Sequence, residues 1–160
     1  MKKEDLIFII DDDPVYVSFL KFNLFKLGFS NVQTYNIGQD YLNQLHQLPK
    51  VVLMDYNLEE TTGKKLLSET LTFDPDILVI IISSQNSIDS AVETLKIGAL
   101  DYVRKDDTVN EQLKNIFVKI DELHKMNSSS SKRGYLKFIG ISCVFILASF
   151  YLYHHLTKLF

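Results

Sequence analysis

Short aliphatic, β-branched runs alternate with longer segments of helical period between residues 6 and 126. The runs lie at residues 6–10, 32–35, 51–54, 77–82 and 100–103. Each precedes a segment in which apolar residues recur every three or four positions, a pattern that predicts repeated strand–helix units around a parallel sheet. The first and fourth runs are apolar without alternation, as strands covered on both faces are, so we expect these two to be central.

Capping signals and apolar stripes define the helices. Asp13 is placed as an N-cap, Pro14 stands at the first helical position, and Gly28 is a stop signal for the first helix. The fourth and fifth helices each carry an apolar stripe that we expect to lie in the core. The stripes are Ile88, Ala91, Val92 and Leu95, followed by Gly98, and then Leu113, Ile116, Phe117, Ile120 and Leu123. The pattern predicts an α/β fold with a doubly wound, five-stranded parallel sheet.

A polar tract separates this domain from an apolar stretch near the C-terminus. Residues 127–131 read NSSSS, which predicts a flexible linker, and residues 135–153 contain Lys137 as their only charge. As a helix, these 19 residues would be about 28 Å long, close to the thickness of a bilayer's hydrocarbon core. Apolar residues on every face favour a spanning helix over an amphipathic one or a buried core helix. We therefore expect a domain at 1–126, a polar and basic linker at 127–134, a transmembrane helix at 135–156 and a tail at 157–160.

Charge is distributed unevenly along the chain. Residues 1–126 carry 13 Lys/Arg and 20 Asp/Glu, a net charge of −7, whereas residues 127–160 carry four basic residues and no acid. An acidic domain repels phosphate backbones, so we expect no nucleic-acid binding. Lys132 and Arg133 precede the apolar stretch, Lys137 lies near its start, and only Lys158 follows it, which predicts a cytoplasmic domain on the inner membrane. The single cysteine, Cys143, excludes a secreted disulfide scaffold.

Polar residues follow four of the predicted strands, at the ends where parallel sheets bind ligands. They are Asp11, Asp12 and Asp13 after the first strand, Asp55 after the third, Ser83 and Ser84 after the fourth, and Lys105 after the fifth. Since adjacent strands lie about 4.8 Å apart, the carboxylates of Asp11, Asp12 and Asp55 could converge, and a bound Mg²⁺ would relieve their repulsion. Lys105 and Ser83 would suit a phosphoryl group on Asp55. Taken singly, Asp13 is better explained as a helix cap and Ser84 as a loop hydroxyl.

Three segments and their spacing resemble one known family. IFIIDDDP at 7–14, VVLMDYNLEETTGKKLL at 51–67 and GALDYVRKD at 98–106 are similar to the acidic, phosphoacceptor and lysine motifs of the receiver domains of two-component response regulators. Gly63 comes eight residues after Asp55, while Ser83 and Tyr102 precede Lys105 by 22 and three residues. The resemblance covers residues 5–124. It implies a flavodoxin-like receiver fold and a phosphoacceptor signalling domain, not an enzyme beyond self-dephosphorylation.

The resemblance also implies a role for each site residue. A histidine kinase or phosphotransfer protein would phosphorylate the domain, which would then bind a downstream protein of unknown identity. The roles implied are Asp55 as phosphoacceptor, Lys105 and Ser83 as phosphoryl-binding groups, Ser83 and Tyr102 as switch residues, and Asp11, Asp12, Asp55 and the backbone carbonyl of Asn57 as Mg²⁺ ligands. Two positions depart from the family: Glu59 and Asp106 stand where prolines are usual, the second of them cis, which puts the Lys105–Asp106 geometry in question.

Two alternatives compete with a membrane-anchored, single-domain response regulator of a phosphorelay. A pseudo-receiver would keep the fold only as a membrane-tethered binding module. Asp11-x-Asp13 also resembles the opening motif of haloacid-dehalogenase-like phosphatases, in which Asp11 would be the nucleophile and Ser83 and Lys105 the later motifs. That family needs a further acidic motif beyond the lysine, where residues 106–126 have a helical pattern, and it leaves Asp55 without a role.

Overall fold

The computed structural model describes residues 1–84, 87–122 and 125. The chain divides into a unit of residues 1–118 and a second unit of residues 119–160. The linker at 127–134, the membrane-spanning helix at 135–156 and the tail at 157–160 that the sequence predicts all lie outside the described residues. In the portion that the structure describes, every helix is too short or too polar to cross a bilayer.

Within the described residues, five strands alternate with five helices. In chain order they are β1 (Ile7–Ile10), α1 (Pro14–Lys26), β2 (Val32–Tyr35), α2 (Gly38–Gln44) with a 3₁₀ turn at Leu45–Gln47, β3 (Val51–Asp55), α3 (Gly63–Phe73), β4 (Leu78–Ser83), α4 (Ile88–Ile97), β5 (Asp101–Arg104) and α5 (109–122). Each strand lies within one residue of its predicted position at either end. The alternation of β-branched runs and helical periods was therefore a sufficient guide to the elements.

The strands form one parallel sheet in the order β2-β1-β3-β4-β5. This confirms the predicted five-stranded parallel sheet with its flavodoxin-like strand order. β3 is the middle strand, and β1 and β4 flank it as interior strands, in agreement with their unbroken apolar sequences. Both strands next to the middle are buried almost throughout, and so is β3. The carboxyl ends of β1, β3, β4 and β5 consequently meet at one edge.

The caps predicted for α1 are present. The Asp13 carboxylate accepts hydrogen bonds from the N–H groups of Val15 at 2.8 Å and Tyr16 at 3.2 Å. At the other end Gly28 has a φ of 90°, a left-handed conformation that favours glycine, and its N–H donates to Phe25 O at 2.8 Å. These two signals place α1, and with it the loop that carries Asp11 and Asp12.

The apolar stripe of α4 is not core, and that prediction is wrong. Ile88 is 79% exposed, and Val92 and Leu95 are also exposed, whereas the buried residue of α4 is Thr94. The Thr94 hydroxyl donates to Ser90 O at 2.9 Å, so its polar atom is satisfied within the helix. In α5 the stripe is buried as predicted at Leu113, Ile116, Phe117 and Ile120, while Leu123 lies outside the described residues.

Candidate functional site

Three charged side chains meet at the carboxyl edge of the sheet. Asp11 directly follows β1, Asp55 is the last residue of β3, and Lys105 directly follows β5. The Lys105 ammonium Nζ lies 2.7 Å from Asp11 Oδ2 and 2.9 Å from Asp55 Oδ2. Both carboxylates are buried. The structure thus brings together three of the residues that the sequence nominated, from three different strands.

A cluster of carboxylates at this edge could hold a divalent cation. Asp11, Asp12 and Asp55 each offer an oxygen, and these oxygens all lie within 4.8 Å of one another. Asp11 Oδ2 forms the ion pair with Lys105 but, within the described part of the chain, accepts no well-aligned hydrogen bond. Oxygen ligands that are buried and incompletely satisfied fit Mg²⁺, which is typically held by one or two carboxylates together with phosphate and water.

Burial and ion pairing act in opposite directions on these groups. Burial raises the pKa of Asp11, and the nearby Lys105 ammonium and the Asp13 N–H offset only part of that effect. Burial by itself lowers the pKa of Lys105, but its close interactions with the carboxylates of Asp11 and Asp55 outweigh that effect, so the pKa of Lys105 is raised. Lys105 therefore stays charged. One ammonium for three clustered carboxylates leaves the pocket net negative, which favours binding of a further cation.

The chain turns tightly after Asp55. The Asn57 N–H donates to Asp55 Oδ1 at 3.3 Å, which places the Asn57 backbone beside this carboxylate, and the Tyr56 N–H donates to Ile82 O at 2.9 Å. The role of the Asn57 carbonyl as a metal ligand stays a prediction. Gly63 begins α3, and its N–H donates to Tyr56 O at 2.8 Å. A Cβ on Gly63 would lie 2.4 Å from Asp55 O, so only glycine permits this approach.

The two positions where the sequence departs from the family each make hydrogen bonds. The Glu59 N–H donates to Asp12 Oδ2 at 3.1 Å, a bond that a proline could not form because it has no N–H. The Asp106 carboxylate accepts hydrogen bonds from the Thr108 hydroxyl at 2.6 Å and from the Thr108 N–H at 2.9 Å just before α5, and these bonds lower the pKa of Asp106. The Lys105–Asp106 peptide bond is trans, and the Lys105 N–H donates to Ser83 O at 2.7 Å.

Ser83 and Tyr102, the predicted switch residues, occupy the two strands beyond Asp55. Ser83 ends β4, is fully buried, and follows Ile82, the partner of Asp55 in the sheet register. Tyr102 in β5 pairs with Ile81 and is half-buried against the core cluster. Ser83 therefore lies one residue beyond the strand partner of Asp55, and Tyr102 lies in the edge strand β5. Their switch roles stay predictions.

Tyr16 belongs to the site although the sequence did not reveal it. Its ring centroid lies 4.5 Å from Lys105 Nζ, a cation–π contact to the ammonium that also pairs with the two carboxylates. The Tyr16 hydroxyl is buried and has no hydrogen-bond partner among the described residues, and burial raises the pKa of this phenol. The available signal was its position three residues after the Asp13 cap, in the first turn of a helix that starts at the pocket.

The chain is similar to known proteins over the region that contains this site. A family model described as "Response regulator receiver domain" matches residues 7–117. The chain is 37% identical over 100 residues to the transcriptional regulatory protein ZraR of Escherichia coli K12, covering 62% of this chain and 22% of the relative. It is 27% identical over 138 residues to the regulatory protein LuxO of Vibrio vulnificus, covering 84% and 30% respectively. The chain thus spans less than a third of the length of these curated relatives.

Solved structures resemble the fold closely. A CheY-like response regulator receiver domain protein from Methanospirillum hungatei has a TM-score of 0.69 at 25% identity, covering 77% of this chain and 98% of that chain. CheY in a complex with CheX, BeF₃ and Mg²⁺ from Borrelia burgdorferi has a TM-score of 0.67 at 20% identity, covering 72% and 88%. Both alignments concern the α/β fold, and the matched residues 7–117 include Asp11, Asp12, Asp55 and Lys105.

Proposed function

The chain belongs to the response regulator receiver family, and from that premise we propose that it accepts a phosphoryl group on Asp55 from a histidine kinase or phosphotransfer protein. One observation carries this proposal: Lys105 reaches across the sheet edge to Asp55 at 2.9 Å, beside the carboxylates of Asp11 and Asp12. Receiver domains are signalling domains, so the product is a changed binding surface and not a released metabolite. The phosphorylated state would be read by a downstream protein.

The pocket residues account for the transfer through positioning and charge. A carboxylate oxygen of Asp55 forms the new bond to phosphorus as the donor's bond to phosphorus breaks, and the bonding electron pair leaves with the donor. Asp11 and Asp12, with Asp55, would hold Mg²⁺, which supplies positive charge to the phosphoryl oxygens. Lys105 supplies a second positive charge, and Ser83 a hydroxyl. Such reactions depend almost entirely on positioning and electrostatic stabilisation.

Incubation of the full chain with a small acyl-phosphate or phosphoramidate donor and Mg²⁺ is expected to add one acid-labile phosphate. Addition of a chelator is expected to abolish labelling, because three carboxylates facing one ammonium repel a phosphoryl donor unless a cation is bound. Intact-mass spectrometry and peptide mapping give the stoichiometry and the site. An unlabelled chain would favour the pseudo-receiver, and labelling of Asp11 would favour the phosphatase-like alternative.

Phosphorylation is expected to change the face formed by α4, β5 and α5. On α4, the apolar side chains of Ile88, Val92 and Leu95 are exposed, which provides a surface for a downstream protein. Tyr102 lies in β5, the strand of this face. The hydroxyl of Ser83 would supply the differential affinity that shifts the equilibrium towards the active conformation. This coupling between Ser83, Tyr102 and the face is part of the proposal.

Ser83→Ala is expected to reduce the response of β5 to phosphorylation, because the buried hydroxyl next to Asp55 is removed. The measurement is the backbone amide chemical shifts of residues 101–104 with and without beryllofluoride and Mg²⁺. Ser84→Ala, the exposed neighbour, is the matched control and should respond like the wild type. If Ser83→Ala and wild type give the same shifts, Ser83 does not drive the switch.

We further propose that the apolar stretch at residues 135–156 anchors the chain in the inner membrane, with the receiver domain on the cytoplasmic side. The support is in the sequence: within this segment, residues 135–153 form a run of 19 residues with one charge, preceded by Lys132 and Arg133. A five-residue polar tether has a typical reach of about 12 Å, which would hold the domain at the bilayer surface. Its concentration near membrane-bound kinases would rise without any new contact.

The full chain is therefore expected to remain in the membrane pellet after high-salt and carbonate washing. Ile146→Arg places a charge at the centre of the span at a cost of about 3 kcal/mol, so a measurable fraction should be released. Ile146→Leu is the matched control and should fractionate like the wild type. Complete extraction of the wild type by salt would show peripheral attachment instead, and a fully soluble chain would exclude the anchor.

A further inference from the structure

Among the described residues, two carboxylates and an aromatic ring contact the Lys105 ammonium. Its Nζ lies 2.7 Å from Asp11 Oδ2 and 2.9 Å from Asp55 Oδ2, and it lies over the Tyr16 ring, 4.5 Å from the centroid. An ammonium has three N–H donors, and these contacts can occupy all of them. The Lys105 side chain is only 13% exposed. Tyr16 is therefore the neutral member of the set of groups that surrounds this charge.

Tyr16 contacts the lysine through its ring and not through its hydroxyl. The hydroxyl is buried but has no hydrogen-bond partner among the described residues. The Tyr16 N–H donates to the Asp13 cap at 3.2 Å, and the ring of Phe19, one turn further along α1, packs on the Tyr16 ring with centroids 5.5 Å apart. The backbone and the ring of Tyr16 are thus both held in place, so the ring provides a fixed surface for the Lys105 ammonium.

The ring contact differs from the two ion pairs because it does not depend on the charge of a carboxylate. A lysine ammonium is a strongly hydrated point charge on a flexible stem, so other groups must hold it in one place. The attraction of Asp55 for Lys105 weakens once the Asp55 carboxylate forms a bond to phosphorus and loses its charge. A divalent cation bound at Asp11 would compete with Lys105 for that carboxylate. The quadrupole of the Tyr16 ring attracts the ammonium in either case.

We propose that Tyr16 is a positioning residue for phosphoryl transfer, whose ring holds the Lys105 ammonium beside Asp55 while the carboxylate gives up its charge. The inference rests on the proposed phosphorylation of Asp55 and adds one residue to that site. The bond from an Asp55 oxygen to phosphorus forms as the donor's bond to phosphorus breaks, and its electron pair leaves with the donor. Lys105 keeps its proton throughout and neutralises charge on the phosphoryl oxygens, so Tyr16 acts only through Lys105.

The rate of labelling of the full chain by acetyl phosphate and Mg²⁺ tests the proposal. Tyr16→Leu should lower this rate at least about threefold, because the cation–π attraction is lost. Tyr16→Phe keeps the ring and should be labelled at close to the wild-type rate. Phe22→Leu is the matched control, since it removes from the same helix a ring whose centroid lies 4.3 Å from the Nζ of a different lysine, Lys26. This control should be labelled like the wild type.

Two further measurements separate positioning of Lys105 from simple space filling. In full-length chains labelled with ¹³C at lysine Cε, the Lys105 Cε protons should lie upfield of their position in Tyr16→Leu, because the wild-type ring current shields them. The signal is assigned by its loss in Lys105→Gln. In a Lys105→Gln chain, Tyr16→Leu should change the labelling rate by less than about 1.5-fold, since no ammonium is left to position and the two effects are not additive.

Each of four results would overturn the proposal. Equal labelling rates for wild type and Tyr16→Leu would show that the ring is not needed, and an unshifted Lys105 signal would show that the ring does not lie on the ammonium. A Tyr16→Phe chain as slow as Tyr16→Leu would assign the effect to the hydroxyl, and an undiminished effect in the Lys105→Gln chain would assign it to packing. A wild-type chain that is not labelled on Asp55 would instead refute the proposed function, while the lysine spectra still report on the ring contact.

Discussion

Asp55→Asn is expected to abolish phosphorylation of the chain by small phosphodonors. The substitution keeps the size of the side chain but replaces the carboxylate that we propose as the nucleophile, at the end of the central strand β3, with an amide. Asp11 pairs with the Lys105 ammonium through Oδ2 and accepts the Asp13 N–H on Oδ1. Its position therefore suits the binding of cations better than attack on phosphorus. Intact-mass spectrometry should show no added phosphate on this variant.

Two further variants test whether the loss is specific to Asp55. Asp76→Asn changes an exposed carboxylate before β4 and should be labelled like the wild type. Asp12→Asn removes one proposed Mg²⁺ ligand but not the acceptor, so labelling should persist with a requirement for more Mg²⁺. Unchanged labelling of Asp55→Asn would disprove the assignment of the phosphoacceptor, whichever result the Mg²⁺ titration gives.

The fold was predictable because its signals are local. Asp13 and Pro14 specify where α1 begins and Gly28 where it ends, and all three act through the backbone of their own segment. The unbroken apolar runs that became β1 and β4 likewise report burial on both faces, which only interior strands experience. Boundaries shifted by at most one residue because strand ends depend on pairing with neighbours, as at Asp55, which pairs with Ile82.

The stripe of α4 shows the limit of periodicity. A repeat of apolar residues at helical spacing states that one side of a helix is apolar, but not that anything in the same chain covers it. Thr94 satisfies its hydroxyl by donating to Ser90 O and is buried, while Ile88 is left exposed. α1 shows the same limit, because its exposed phenylalanines, Phe22 and Phe25, follow the spacing of core residues. Exposed stripes of this kind indicate binding surfaces, which a sequence cannot separate from core.

The site was predictable where strand ends determined it, and not where it depended on contacts between loops. Asp11 and Lys105 directly follow strands and Asp55 ends one, so the order of the sheet brought them together. Tyr16 contacts Lys105 only because of the rotation of α1 about its axis. The hydrogen bond from the Glu59 N–H to Asp12 joins backbone to side chain across 47 residues, and nothing in either local sequence specifies it.

Gly63→Ala is expected to lower the free energy of unfolding by about 3 kcal/mol, the upper range for overpacking, because the conflict is with backbone. An added Cβ would lie 2.4 Å from Asp55 O and 2.8 Å from Tyr56 Cα, and neither atom can move away by changing a rotamer. The higher helix propensity of alanine returns at most about 1 kcal/mol. Because the displaced carbonyl belongs to Asp55, phosphorylation should also slow. Urea unfolding of the full chain in a mild detergent, followed by circular dichroism, measures the stability.

Gly38→Ala is the matched control for this prediction, since Gly38 begins α2 as Gly63 begins α3. Its added Cβ would meet Thr61 Cγ2 at 2.9 Å and Leu66 Cδ1 at 3.1 Å, which are ends of side chains that can rotate, so we expect a loss of about 1 kcal/mol. Phosphorylation of Gly38→Ala should stay close to the wild-type rate, because neither contact includes the backbone of Asp55. If Gly63→Ala proves as stable as Gly38→Ala, the close packing of α3 on the Asp55 carbonyl does not constrain the phosphoacceptor loop. A clear difference would show that glycine is required where the chain passes against Asp55, the residue that we propose is phosphorylated.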